Sequence, residues 1–241
     1  MSQLFKIELT NLLHRAATAL SRRAGRAGAD TRGVAAVEFA LILPVMLLLY
    51  IGTAELTSGL MANRKMTLVA RAVSDLVAQE GDDTGVSAPT LTNVFNAASG
   101  IMSPYSTTNL KISVSSIKFV PNAAGTSYTA MTVWSVGNVS GATLRPCGNN
   151  ALTKVANTAA ASSTTMPSGL YTSGTIIVAD VKYTFSPNFG GGLLSWSSTD
   201  SSIPMSHTTY MKPRTQDEVK FNASSMSYKS VCSPAPPATY N

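Results

Sequence analysis

At 241 residues the chain is long enough for one or two domains. Only 12% of its residues are charged, against about 25% in ordinary soluble domains. The net charge of +6 does not point to nucleic acid, because residues 1–33 carry Lys6, Arg15, Arg22, Arg23, Arg26 and Arg32 against Glu8 and Asp30, which is +4 of the total. A cationic surplus placed just before an apolar run fits the positive-inside rule for a membrane protein better than a basic binding surface.

In chain order, Phe5, Leu9, Leu12, Leu13, Ala16 and Leu20 share one helical face, which suits either a short helix on the inner membrane surface or a leader that is discarded. Residues 21–32 are small, basic and glycine-containing, and make an accessible stretch for a protease. From Gly33 to Ala54 come 22 residues with Glu38 as the one charge. As a helix they span about 33 Å, enough to cross the hydrocarbon of a bilayer. A carboxylate at the centre of such a segment costs about 2.5–3.5 kcal/mol, so Glu38 calls for a partner. Pro44 lacks the amide that would bond the Ala40 carbonyl and permits a kink, which membranes tolerate when neighbours re-satisfy that carbonyl.

The string Gly33-Val34-Ala-Ala-Val-Glu38-Phe39, followed by the apolar run and Pro44, resembles the signal of type IV prepilins and, more specifically, the TadE-like family of tight-adherence (Flp) pilus-assembly pseudopilins. The resemblance covers roughly Gly33 to Arg71. It implies a processing site at Gly33, Val34, Glu38 and Phe39: a membrane-embedded prepilin peptidase cuts after Gly33, Val34 becomes the first residue and Glu38 the fifth. The new α-amine, with an ordinary pKa of about 7.7–8.0, then pairs with Glu38 of its own or a neighbouring chain. It also implies a type IV pilin-like layout, non-enzymatic, with other pseudopilins or platform proteins as partners. Two alternatives stand beside it. One is an uncleaved single-pass anchor whose head binds secretion or pilus components. The other is a secretory signal, for which Gly52-Thr53-Ala54 is a poor cleavage site.

Beyond Ala54 the helical pattern continues through Leu56, Leu60, Asn63, Thr67, Ala70, Val73 and Val77, while Arg64, Lys65, Arg71, Asp75 and Glu80 fall mostly on other faces. It stops at Gly81-Asp82-Asp83-Thr84-Gly85. The resulting division is a cytoplasmic leader at 1–33, a long helix at 34–80 whose part at about 34–55 is transmembrane, and a periplasmic head at 81–241. The basic residues Arg22, Arg23, Arg26 and Arg32 are expected to hold the N-terminus in the cytoplasm, and the resemblance implies a bacterial inner membrane.

The head reads as α+β, built on an antiparallel sheet. A second helix is expected at about 89–102, with Leu91, Val94, Phe95, Ala98 and Met102 inward. A strand follows with Leu110, Ile112 and Val114 in phase, then a break at Ser115-Ser116 that suggests a bulge before Ile117 and Phe119. A turn at 121–125 leads to a strand with Tyr128, Ala130, Thr132, Trp134 and Val136 on one face and Met131 and Val133 on the other. Residues 137–174 read as loop, with a short helix near 149–157. Ile177, Ala179, Val181, Tyr183 and Phe185 face one way from the clearest strand, and Asp180, Lys182 and Thr184 the other. Ile203 to Met211 is the fourth strand, with Met205, Thr209 and Met211 in phase, and Lys212-Pro213-Arg214 closes the sheet. The segment from Tyr183 to Pro187 and Pro213-Arg214 resembles, more loosely, the tail of TadE-type proteins. The last ten residues, with Pro234, Pro236 and Pro237, read as a mobile tail unless Cys232 pins its start.

Cys147 and Cys232 both fall in the exported part, where an oxidising periplasm favours a disulfide; two free thiols are the alternative. No cofactor, metal or small-molecule substrate is expected. His14 and His207 fall on opposite sides of the membrane, and His207 sits in a strand pattern without the partners of a hydrolase triad. Asn188–Gly192 lacks the Lys-Ser/Thr of a phosphate loop. Asp200-Ser201-Ser202 lacks the spacing of an integrin-type metal site, and Asp82-Asp83 has no oxygen-rich continuation to hold calcium. Trp134, Trp196, Tyr183 and Phe185 are expected in the head core.

Overall fold

The structure is a computed structural model, and it describes residues 32–80, 84–148, 150–187 and 202–240. The leader with Arg22, Arg23 and Arg26, the stop signal at 81–83, the glycine run of 188–192, Trp196 and Asp200 lie outside the described residues. The chain divides into two compact units, Met1–Ala54 and Glu55–Asn241.

One helix, α1, runs Arg32–Ala78 (47 residues), about 70 Å at 1.5 Å per residue. In the first unit the described residues, 32–54, are all helical. In the second unit the same helix buries Ala62, Met66, Val69, Ala70, Val73, Ser74, Val77 and Ala78. The expected stripe is therefore right at Ala70, Val73 and Val77 and wrong at Leu56, Leu60 and Asn63, which are exposed. The buried face rotates toward smaller and more pliable side chains at Ala62 and Met66, which allow the helix to sit close on the sheet. Leu60 and Leu68 are left facing out.

The head follows: β1 (Val86–Ser87), α2 (Ala88–Ile101), β2 (Lys111–Pro121), β3 (Tyr128–Gly137), β4 (Thr153–Val155), β5 (Thr165–Pro167), a 3-10 turn (Ser168–Leu170), β6 (Gly174–Phe185), β7 (Ile203–Met211), β8 (Phe221–Asn222) and β9 (Lys229–Val231). The fold is α+β: a long apolar helix followed by a small head on an antiparallel sheet. Ser87 caps α2 by accepting the Thr90 amide, and a proline in the first turn needs no intrahelical donor. Gly85, at φ +89°, has no room for a side chain: a Cβ there would meet the Lys220 carbonyl at 2.7 Å, where β1 runs parallel to β8.

The main sheet has the order β7-β6-β2-β3-β9, all antiparallel. One face carries Ile112, Val114, Trp134, Val136, Ile177, Ala179, Val181, Tyr183 and Phe185 into a core shared with α2 and the second part of α1. The other face carries Ile117, Phe119, Ala130, Ile176 and Val178 against Leu152 and Met166.

That second core corrects the expected bulge. β2 pairs with β6 without interruption from Lys111 to Phe119, so it has no extra residue. The register shift lies in the β2–β3 ladder, where Ser116 opposes Trp134 but Ile117 opposes Thr132, leaving Val133 as the extra residue on β3. Tyr128, Ala130 and Thr132 therefore face away from Trp134 and Val136. The phase break in β2 records which face is covered, not a defect in the strand. The Val133 carbonyl is satisfied by the Cys232 amide at 3.0 Å.

Residues 137–174 hold no α-helix among their described residues. The expected helix near 149–157 is instead β4, paired parallel with β5, because Leu152 and Met166 are needed as a lid on the second core. The C-terminal tail is tied at both ends: Cys232 is half of a disulfide, and Tyr240 donates its amide to the Pro121 carbonyl and bonds Ser127 through its hydroxyl. The sheet also closes with β9 rather than at Arg214, since Lys229–Val231 was too short and polar to register as a strand.

Candidate membrane-anchoring and processing segment

Every residue from Gly33 to Tyr50 is exposed. Leu49 and Tyr50 are 66% and 74% exposed and Phe39 64%, values that large apolar side chains do not keep in water over five turns. The helix is long and apolar enough to cross a membrane. Within it Thr53 donates its hydroxyl to the Leu49 carbonyl, which satisfies the polar group inside the segment itself, as lipid requires.

The residues expected to form a processing site, Gly33, Val34, Glu38 and Phe39, all fall near the start of α1 and are exposed. A Cβ added at Gly33 would meet nothing within 4 Å, so packing gives no reason for a glycine there. A glycine inside a helix is about 1 kcal/mol worse than alanine. Arg32 begins the helix, and α1 continues through Pro44.

At the other end of α1 the segment after β7 closes the helix. The Arg214 amide donates to the Ala78 carbonyl at 2.9 Å, its guanidinium pairs with Asp75, and Thr215 donates to the Glu80 carbonyl. Cations and donors at a helix C-terminus satisfy its unpaired carbonyls. Pro213-Arg214 thus serves to cap the long helix.

Cys147 and Cys232 form a disulfide, with Cα atoms 5.4 Å apart and a sequence separation of 85. It anchors a strap, residues 138–148, across the second sheet face. The strap starts at Gly137, where a Cβ would strike Ala142 at 2.6 Å. Asn138 then bonds the Ile112 amide and the Leu110 carbonyl at the start of β2. Arg145 lies fully buried beneath the strap. Its Nε and NH2 donate to the two oxygens of Asp180 at 2.8 and 2.9 Å, and NH1 donates to the Thr165 carbonyl at 3.1 Å. Thr208 donates to Asp180 at 2.6 Å. A paired, bidentate geometry is what lets two charges stay buried. Sequence reading passed over Arg145; the signal available was Asp180, an acid between buried Ala179 and Val181 on a central strand.

His207 lies on the helix-facing side of β7, opposite Val181. Burial, and then the positive charge of Arg71, hold its imidazole below the ordinary histidine pKa. Among the described residues there is no group of three or more His, Cys, Asp or Glu placed to hold a metal ion.

The family model of TadE-like proteins matches residues 33–75. No curated protein and no solved structure matches the chain. The matched span starts at the glycine singled out above and ends at Asp75, the residue paired with Arg214.

Proposed function

With a TadE-like segment at residues 33–75 as the premise, we propose that this chain is a non-enzymatic, pseudopilin-like assembly component of a Tad (Flp) pilus. It is anchored in the bacterial inner membrane by residues 34–55 of α1, with the leader at 1–33 cytoplasmic and the head at 81–241 periplasmic. A prepilin peptidase cuts after Gly33, and the partners are other pseudopilins or the assembly platform. The observation that carries this reading is the family match over a helix half with every side chain from Gly33 to Tyr50 uncovered. The unexplained glycine at 33 and the lone carboxylate at 38 support it. Once Val34 is the first residue, its ammonium neutralises Glu38 within one turn or across to a neighbouring helix. Removing one member of such a pair costs about 3–5 kcal/mol, so lateral packing depends on correct processing.

N-terminal sequencing and intact mass of the protein from native membranes test the proposal. Wild type begins at Val34, Gly33→Leu retains the leader, and Glu38→Ala inserts yet fails to support pili. A mature protein that begins at Met1 would replace this reading with an uncleaved anchor bearing a binding head.

A further inference from the structure

Lys111 on β2 and Lys182 on β6 are direct cross-strand partners, on the same face of the sheet and both exposed. Like charges in this position repel, and the pair lies well inside the screening length of about 8–10 Å. Two long, flexible side chains would ordinarily relieve this by splaying apart. Here they converge on one strap. The Lys182 ammonium donates to the Thr143 hydroxyl at 2.9 Å, and the Lys111 ammonium lies 3.2 Å from where a Cβ on Gly141 would sit. No carboxylate neutralises them among the described residues. Asp180, on the same face, is occupied by Arg145 and Thr208.

Both lysines open onto a cleft of about 500 Å³, whose wall also includes Asn109, Thr184, Pro204 and Ser206. Lys182 and Ser206 further line an adjoining cavity of about 200 Å³ with Thr143 and Thr208. A volume of 500 Å³ falls within the range of about 300–1,000 Å³ found for small-molecule sites. Two cross-strand lysines in one wall, with an amide and hydroxyls alongside, suit a ligand that carries one oxyanion on a hydroxylated body.

We propose that this cleft binds a small anionic ligand of sugar-acid size, whose carboxylate or phosphate sits between Lys111 and Lys182. The ammoniums supply charge-assisted hydrogen bonds to the oxyanion. Asn109, Thr184 and Ser206 contact its polar body.

The full chain in detergent micelles, titrated calorimetrically with digalacturonate, inorganic phosphate and maltose at low and high salt, tests this. Digalacturonate binds, more weakly as salt rises, and the Lys111→Gln/Lys182→Gln double variant binds it at least about tenfold more weakly. Both lysines are exposed, so the variant keeps the melting temperature of wild type. Phosphate binding with the same dependence on the lysines also supports the site and assigns recognition to the oxyanion alone. Absence of binding by either anion, equal affinity in the double variant, or maltose binding as tightly as digalacturonate would overturn it.

Discussion

Helix α1 contains two regions that obey opposite rules. From Gly33 to Tyr50 its residues are apolar apart from Glu38, most of the side chains after Glu38 are large, and all are exposed. From Ala62 to Ala78 the inward residues are Ala, Val, Met and Ser, smaller on average, and wholly buried. Hydrophobicity alone therefore does not say what a helix packs on. Just beyond the first region a polar side chain bonds back within the helix, Thr53 to the Leu49 carbonyl. The second is held by partners distant in sequence: Lys65 donates to the Ile101 carbonyl, Tyr105 to the Ser58 carbonyl, and Asp75 pairs with Arg214. The first region is apolar and uncovered, whereas the second needs this particular head.

The comparison breaks most visibly if the head's own ties are cut. Cys147 and Cys232 close a loop of 85 residues, worth about 4–5 kcal/mol in the chain-entropy picture. Cys232→Ser paired with Cys147→Ser should lower the head's denaturation midpoint by that order and leave membrane extraction of the chain unchanged. Next comes the ion pair under the strap. Arg145→Met leaves Asp180 buried with Thr208 as its remaining donor, and a cost of about 3–5 kcal/mol is expected in urea unfolding. Replacing both residues with apolar side chains of similar volume should recover much of that loss.

Within α1 itself the contrast sharpens into a pair of substitutions. Met66, fully buried, should lose about 2–5 kcal/mol of head stability on replacement by alanine. Leu47, half exposed, should leave head stability unchanged on the same replacement, because it touches no core there. Equal effects of the two on thermal unfolding would mean that the apolar half is covered by the head.

How much of this could be read from the chain alone depends on which covering surface a pattern implies. The Gly33–Pro44 string, the long helix and the strand from Thr175 to Phe185 were legible because their periodicity stands against a single medium or core. The burial phase of α1 at Leu56 and Leu60 was not, since leucine satisfies lipid, a partner chain or a core equally well. β2 misled for a related reason: its phase break looked like a bulge, although both faces of the sheet are covered and the extra residue is Val133 on the next strand. β9 and the Tyr240 bridge were hidden by length, since three residues carry no period. Arg145 was illegible because its role depends on a carboxylate 35 residues away. The paired lysines at 111 and 182 are an accident of register, which sequence does not print.

The smallest effect concerns His207, on the side of β7 that faces α1. Its folded pKa lies below the ordinary value of 6.5 because burial and Arg71 both disfavour the imidazolium. Well above pH 6.5 the imidazole is neutral in folded and unfolded chains alike and contributes no pH dependence. As pH falls through that value the unfolded chain takes up the proton first, so stability declines on acidification until the folded group also protonates. The residue is only half-buried, and solvent screening keeps the change modest. His207→Gln should flatten the difference in head melting temperature between about pH 7.5 and about pH 5.5, whereas Arg71→Gln should reduce it without abolishing it. An unchanged difference in His207→Gln would show that His207 does not set the acid sensitivity of the head.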